Sequence, residues 1–327
     1  MKLVSFEIST PLGPVTRVGA VDAAGAYVDL NLAYRAFLIR LGTAPPAAAR
    51  IANAVFTANM VDLIEGEAVA IECANQAIEW AATYGREPDE DAVVVHQPDA
   101  VTLLPPIPRP PLLRDFMAFE THLKNIYPRL GREIPREWYN LPIYYKGNAG
   151  SLGAHGQDVP IPAWADALDY EFELAMVIGT GGKDIPRERA MDHVFGFMIY
   201  NDFSERVIQG REMSVGLGPA KGKDFHNAHV FGPYLVTKDE IPDPYALRMT
   251  SRLNGQVNCE ANSGTMHWRY EDMIAHASHS EALVAGEIFG TGTVGNGSLA
   301  ERGESLARGD VIELEVEHLG TLRNRIA

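Results

Sequence analysis

Leu168-Asp169-Tyr170-Glu171-Phe172-Glu173-Leu174-Ala175-Met176-Val177-Ile178-Gly179 is an apolar run that carries two carboxylates one residue apart. Read as a strand, it places Glu171 and Glu173 on one face and Phe172 and Leu174 on the other. A second acid in apolar company is Asp202, within Phe197-Met198-Ile199-Tyr200-Asn201-Asp202-Phe203-Ser204. Acids so placed carry a large desolvation cost unless a cation or hydrogen bonds compensate. A hard divalent metal held by several carboxylate oxygens would do so with one ion. The run therefore points to a metal-dependent enzyme. The competing reading is an edge strand with an acidic solvent face, the pattern of Glu313, Glu315 and Glu317. For Asp202 the competing reading is a turn.

Outward from this run, the chain from Leu112 onward is mostly short apolar stretches cut by Gly, Pro and Asn, the texture of a β-rich domain with many turns. One helix is expected from Tyr270 to Leu283. Residues 1–105 read as a small N-terminal domain and 106–327 as the main one. The first domain has strand-like pieces at Met1–Glu7, Val15–Val21 and Ala26–Leu30. A helix is expected over Leu32–Leu41, and one or two more over the Ala-rich stretch Ala47–Tyr84. The proline-rich segment Leu103–Pro111 reads as an extended connection between the two domains.

Hydrophobic residues are 46% of the chain and charged residues 22%, the balance of a soluble globular protein. Lys and Arg total 28 against 43 Asp and Glu, a formal net charge of −15 that opposes nonspecific attachment to nucleic acid or anionic membrane. Cys73 and Cys259 lack any metal-ligand spacing, so a disulfide scaffold and a thiolate zinc site are not expected. The N-terminus lacks the apolar core of a signal peptide, and the expected location is the cytoplasm.

Asp115 and His122 lie seven residues apart, about two helical turns, so on a helix both would face one side. An acid with an imidazole suits a metal ligand beside a general base, and the alternative is a surface helix. Lys221-Gly222-Lys223-Asp224 follows Gly216-Leu217-Gly218-Pro219, a pliant loop where a lysine would neutralise a carboxylate or enolate, or else a solvated turn. It is not a phosphate loop, because Leu217 and Asp224 break that pattern. Gly290–Gly297 is a second glycine-rich loop, and His276 and His279 read as structural.

Taken in order, these pieces resemble the fumarylacetoacetate hydrolase family. The resemblance rests on Asp115 with His122, Tyr144-Tyr145-Lys146-Gly147, Glu171 with Glu173, and Asn201-Asp202-Phe203-Ser204 with Arg206 and Gln209. Gly218-Pro219 with Gly222-Lys223 and Phe225, then Gly292-Thr293-Val294-Gly295, complete it. It implies a mainly β fold with some α, a mixed β-roll catalytic domain preceded by a small barrel-like domain, and a homodimer. It also implies Mg²⁺ or Ca²⁺, with Mn²⁺ a further option, bound by Asp115, Glu171, Glu173 and Asp202. His122 matches the family's general base, and Tyr145, Arg206, Gln209, Lys223 and Thr293 match positions that hold or polarise substrate.

The implied substrate is a small diketo or 2-oxo acid, and the implied reaction is hydrolysis of a carbon–carbon bond in aromatic catabolism. The alternatives are decarboxylation or hydration of a 2-oxo acid, or a metal-stabilised binding protein without catalysis. In the hydrolase that names the family, a later glutamate assists the histidine. Here the region after Thr293 reads Gly295-Asn296-Gly297-Ser298-Leu299-Ala300-Glu301, and no residue in it is assigned that role. Glu120 is a local candidate, but it would face away from His122 on a regular helix. Asn125–Trp138 is a candidate lid, with Arg129 or Arg132 as a carboxylate clamp.

Overall fold

The computed structural model describes residues 1–85 and 93–327 and divides into two compact units, Met1–Pro108 and Arg109–Ala327. In the first, β1 (Lys2–Thr10) and β2 (Gly13–Val21) form a hairpin, extended by β3 (Tyr27–Asp29). Four helices follow: α1 (Leu30–Arg40), α2 (Pro45–Val55), α3 (Met60–Glu65) and α4 (Glu67–Tyr84). β4 (Val95–His96) pairs with β3, and β5 (Thr102–Leu103) with β1.

The caps of these helices are local chemistry. Asp29 accepts from Leu32 N to start α1, and Asn59 from Val61 N to start α3. The Ala-rich stretch therefore holds three helices where one or two were expected, because Asn59 restarts the chain and Gly66 separates α3 from α4. Among the described residues the expected barrel-like domain is not a closed barrel. β3, β4 and β5 are two or three residues long, and α1 packs on β2 and β3 in place of further strands.

The second unit begins with β6 (Leu113–Phe116), α5 (Glu120–Ile126), β7 (Tyr144–Gly147), β8 (Leu152–Ala154), β9 (Asp158–Val159) and β10 (Leu168–Asp169). β11 (Phe172–Ile178), β12 (Val194–Asp202), β13 (Ser204–Glu205), α6 (Arg206–Val215) and β14 (His229–Thr237) come next. β15 (Arg248–Leu253), β16 (Gln256–Asn262), α7 (Tyr270–Ser278), β17 (Ile288–Gly290), β18 (Val311–Val316) and β19 (Gly320–Ile326) complete it. α7 stops five residues short of the expected Leu283; Ser280, with φ of 59°, has left the helical conformation.

One sheet of this unit runs β14-β12-β11-β17-β6-β7, and a second runs β16-β15-β18-β19-β9. Every residue of β11 is buried, so Phe172–Ile178 is a central strand covered on both faces. The opening run is not one strand: it breaks at Tyr170–Glu171, and Leu168–Asp169 pairs separately with β13, which leaves Glu171 outside β11. Phe172, Leu174, Met176 and Ile178 join the core with Ile312, Leu314 and Val316 of the second sheet. The whole is mainly β with some α, as the sequence implied.

Asp115 and His122 do not share a helix. Asp115 lies on β6, paired antiparallel with Tyr145 of β7 and parallel with Gly290 of β17, whereas His122 lies on α5. All four residues of β6 are buried, and strand pairing on both edges overrides the helical spacing.

Candidate active site

Three adjacent parts of the first sheet bring acids together. Asp115 sits on β6, Glu173 on β11 opposite Tyr200, and Asp202 at the end of β12. Their side chains are buried and offer oxygens all within 4.8 Å of one another. Between them, Gly290 of β17 leaves the necessary space: a Cβ there would lie 2.5 Å from Asp115 Oδ1 and 2.9 Å from the Tyr200 ring. The next loop closes over the acids, with Gly292 N donating to Glu173 Oε2 at 2.8 Å and Asp115 Oδ1 at 3.2 Å. Gly292 has φ of 77°, and a Cβ on it would lie 2.5 Å from the Phe116 carbonyl.

Glu171 stands slightly apart from this trio. Arg206 Nη1 donates to its Oε1 at 2.7 Å, and Lys223 Nζ to its Oε2 at 2.6 Å. Lys223 also donates to Asp202 Oδ2, the oxygen that receives the Tyr145 hydroxyl at 2.7 Å. The loop delivering Lys223 is anchored by Glu212 of α6, whose carboxylate accepts from Ala220 N, Lys221 N and Gly222 N. Gly222 permits that approach, since a Cβ would lie 2.8 Å from Gln209 N. The loop is thus a built structure and not a solvated turn.

The electrostatics divide the acids into two pairs. Burial, and then the Asp202 charge, pushes Asp115 well above the usual carboxylate range; burial and then Asp115 do the same to Glu173. Burial alone would also raise Asp202 and Glu171. Lys223 and His229 outweigh it at Asp202, and Arg206 and Lys223 at Glu171, so both end below the usual range. Burial lowers Lys223, but Asp202 and Glu171 outweigh it and keep the ammonium protonated beyond its ordinary value.

Burial and mutual charge thus favour the protonated forms of Asp115 and Glu173, and a cation between them would favour the ionised ones. Glu173 Oε1 is buried with no hydrogen-bond partner, a costly arrangement in a dry site, and Asp202 Oδ1 has the buried His229 imidazole beside it, with Nδ1 3.1 Å away. Hard oxygen donors, mutual repulsion and unsatisfied lone pairs together fit a divalent cation.

His122 faces the same cavity, about 560 Å³ in volume, together with Tyr145, Arg206, Gln209, Lys223 and Thr293. Its Nδ1 lies 2.8 Å from Glu301 Oε1. The other Glu301 oxygen accepts from Asn296 N at 2.8 Å and Asn125 Nδ2 at 2.5 Å. Glu301 is the partner that local spacing did not assign. Its signal was present in the region after Thr293, but only folding brings it to a histidine 179 positions earlier. Glu120 instead bonds Lys124 and Tyr139, away from His122.

Arg206 is fully engaged: Nε and Nη2 donate to Asp169 Oδ2 at 2.9 and 2.6 Å, and Nη1 also reaches Gln209 Oε1 at 3.1 Å. Asp169, part of the opening run, went unassigned in the sequence reading. In the candidate lid, Arg129 and Arg132 both line the cavity, and Trp138 anchors the far end with its indole donating to Met117 O at 2.7 Å. Among the described residues no helix is long and apolar enough to cross a membrane.

Comparison with known proteins agrees with this architecture. Residues 112–327 match the model of the fumarylacetoacetate hydrolase C-terminal domain. An uncharacterised protein of Staphylococcus aureus (strain USA300) is 32% identical over 231 residues, covering 69% of this chain and 72% of the relative. A fumarylacetoacetate hydrolase from psychrophilic Exiguobacterium antarcticum superimposes with a TM-score of 0.70 at 23% identity, covering 99% of each chain. Maleylpyruvate hydrolase from Sphingobium sp. SYK-6, solved with manganese(II) ion and pyruvate, gives 0.67 at 22% identity over 100% of this chain and 99% of its own. At these identities the two solved structures speak to the fold, while the domain match and the bacterial relative speak to descent. This chain belongs to the fumarylacetoacetate hydrolase family.

Proposed function

We propose that this protein catalyses metal-dependent hydrolysis of a carbon–carbon bond in a diketo acid of the fumarylacetoacetate or acylpyruvate type. One observation carries the reading: a histidine held by a buried carboxylate faces the same cavity as Asp115 and Glu173, two members of a cluster of three carboxylates. Asp115, Glu173 and Asp202 would hold the cation, with Glu171, kept ionised by Arg206 and Lys223, as the fourth acid beside it. Mg²⁺, Ca²⁺ and Mn²⁺ all suit such a donor set. When bound, the ion would supply a Lewis acid for the adjacent oxygens of a 2-oxo acid. The fold relative that holds manganese and pyruvate supports both the metal class and the product class.

The chain's own groups divide the remaining work. Glu301 accepts the Nδ1 proton of His122, which leaves Nε2 as the basic nitrogen. Nε2 takes a proton from water as the water oxygen bonds to the distal carbonyl carbon. The bond from that carbon to the methylene then breaks, and its electron pair passes into the departing oxo-acid fragment as an enolate. The proton returns to the methylene carbon, so one water and one diketo acid give two acids. Lys223, kept cationic by Asp202 and Glu171, donates to developing oxyanions and does not act as a base. Gln209, Tyr145 and Thr293 line the cavity as further polar contacts for substrate. Arg206, with every guanidinium nitrogen engaged, restrains Glu171.

Decarboxylation of a 2-oxo acid would use the same acids but give the His122–Glu301 pair no water to activate; hydration would use that pair but release no second acid fragment. A purely metal-stabilised binding protein would leave both that pair and Lys223 unexplained. The test is ultraviolet absorbance of fumarylacetoacetate, fumarylpyruvate, acetylpyruvate and oxaloacetate with Mg²⁺ or Mn²⁺, then with excess EDTA. Metal-dependent loss of a diketo acid's enol absorbance, with both acid fragments recovered, is the expected result. Release of CO₂ from oxaloacetate alone would overturn hydrolysis in favour of decarboxylation.

A further inference from the structure

Asp169 is wholly buried, yet no step of the proposed reaction uses it. Its carboxylate gathers five donors. Oδ1 accepts from Tyr170 N at 2.9 Å and Leu299 N at 2.8 Å. Oδ2 accepts from Ala300 N at 3.0 Å and from Arg206 Nε and Nη2 at 2.9 and 2.6 Å. Two carboxylate oxygens offer about four lone-pair sites, so this group is saturated.

The donors come from both halves of the site. Leu299 and Ala300 immediately precede Glu301, at the start of the short 3-10 helix Ala300–Arg302 that carries it to His122. Arg206 opens α6 and reaches Glu171 Oε1 with its remaining nitrogen. One buried carboxylate is therefore bonded both to the segment that presents the acid of the base pair and to the guanidinium that restrains the fourth acid. The backbone beside Asp169 also touches both sides, with Ala167 O accepting from Arg206 N at 3.0 Å and Leu168 O from Leu306 N at 2.7 Å. The Asp169 carboxylate adds the bonds to the guanidinium and to the residue before Glu301.

We propose that Asp169 is a positioning residue that sets the distance between the His122–Glu301 pair and the carboxylate cluster. The proposal deepens the hydrolase reading and rests on it. Asp169→Asn keeps the shape but replaces one acceptor oxygen with a donor, so it must face a backbone N–H or the guanidinium with a like group. The Ala300–Arg302 turn and Arg206 then separate, although neither His122 nor any member of the acid trio has changed.

The test uses full-length protein with three readouts, the protein being loaded with Mn²⁺ for turnover, metal-free for the Mn²⁺ titration and loaded with diamagnetic Mg²⁺ for the imidazole signal. Turnover is measured on whichever diketo acid the wild type hydrolyses. Mn²⁺ affinity is measured by titration calorimetry. The His122 imidazole ¹⁵N signal is assigned by its loss in His122→Gln, with Glu301→Gln as the reference for a broken pair. For Asp169→Asn we expect kcat to fall about 10–100-fold with KM near the wild-type value, and the His122 signal to move to the Glu301→Gln position. Mn²⁺ affinity should weaken by up to about tenfold. A folded Asp169→Asn protein with wild-type kcat and an unmoved His122 signal overturns the proposal.

Should that variant fail to fold, Asp169→Glu decides. Its charge keeps Arg206 and Mn²⁺ binding, while its extra methylene displaces the Glu301 segment and moves the His122 signal. Wild-type signal and turnover in Asp169→Glu overturn the proposal, and failure of both variants to fold reduces Asp169 to a structural ion pair and overturns it equally. If the wild type hydrolyses no diketo acid, the function reading falls by itself. The imidazole and Mn²⁺ readouts still judge the role of Asp169.

Discussion

Glu171-Phe172-Glu173 and Glu313-Leu314-Glu315 carry the same acid–apolar–acid pattern and fold into opposite surroundings. At β11 both faces of the strand are covered, Glu173 is 0% exposed, and one of its oxygens has no hydrogen-bond partner. At β18 only Ile312, Leu314 and Val316 face the core. The Glu315 side chain is 50% exposed and pairs with Arg252 at 2.6 Å; Glu313 pairs with Arg323 at 3.5 Å. Solvated ion pairs of that kind contribute little. The difference lies in what covers the second face of the strand, which converts a tolerated acid into one that demands a cation.

The comparison breaks first at Glu173. Glu173→Gln should abolish Mn²⁺ binding and metal-dependent turnover together, read by calorimetry and by the enol absorbance assay. Retention of both would place Glu173 with Glu315 as a bystander. His122→Ala should next lower kcat by about 10²–10⁴-fold while Mn²⁺ still binds, since the proposed general base is removed and the acids are untouched. Equal loss of metal would mean that base and cluster are not separate devices.

Stability supplies a finer test. The folded pKa of Glu173 is raised above its unfolded value near 4.3, so this group favours the folded, metal-free protein fully below about pH 4.3. That contribution is lost as pH rises through the raised value. In EDTA, wild-type Tm should therefore fall more steeply than that of Glu173→Gln between about pH 5 and pH 8, followed by circular dichroism. Mn²⁺ at a hundredfold excess over Kd should restore about 2.7 kcal/mol to the wild type. Parallel Tm profiles for the two proteins would contradict the raised Glu173. The smallest effect belongs to the other strand: Glu315→Gln should change stability by no more than about 0.5 kcal/mol and leave Mn²⁺ affinity unaltered.

The division between what could and could not be read from the residues follows the range of each interaction. The apolar run marks a buried strand over Phe172–Ile178 because its side-chain period is local, while the break at Tyr170–Glu171 follows from the separate pairing of Leu168–Asp169 with β13. The Asn59 cap and Gly66 break lie in the Ala-rich stretch, but their effect was missed because composition suggested a longer helix than the caps allow. The expected Asp115–His122 helix failed for a different reason. Seven-residue spacing fits a helix, but β7 and β17 claim both edges of Leu113–Phe116, and neither is near it in sequence.

The site divides in the same way. The order of acids, lysine and glycine loops along the chain identified the family and most of the residues that meet in the cavity, because descent preserves such order. Three matters were decided only by folding. Glu301 became the partner of His122 across 179 positions, Asp169 became the bond between the Glu301 segment and Arg206, and Glu171 was set apart from the acid trio by two cations. Sequence by itself determined which chemical groups the chain carries and the strands and helices that their local periods favour. Tertiary structure decided which groups share a dry cavity, because desolvation and charge pairing depend on neighbours that only the closed sheets bring together.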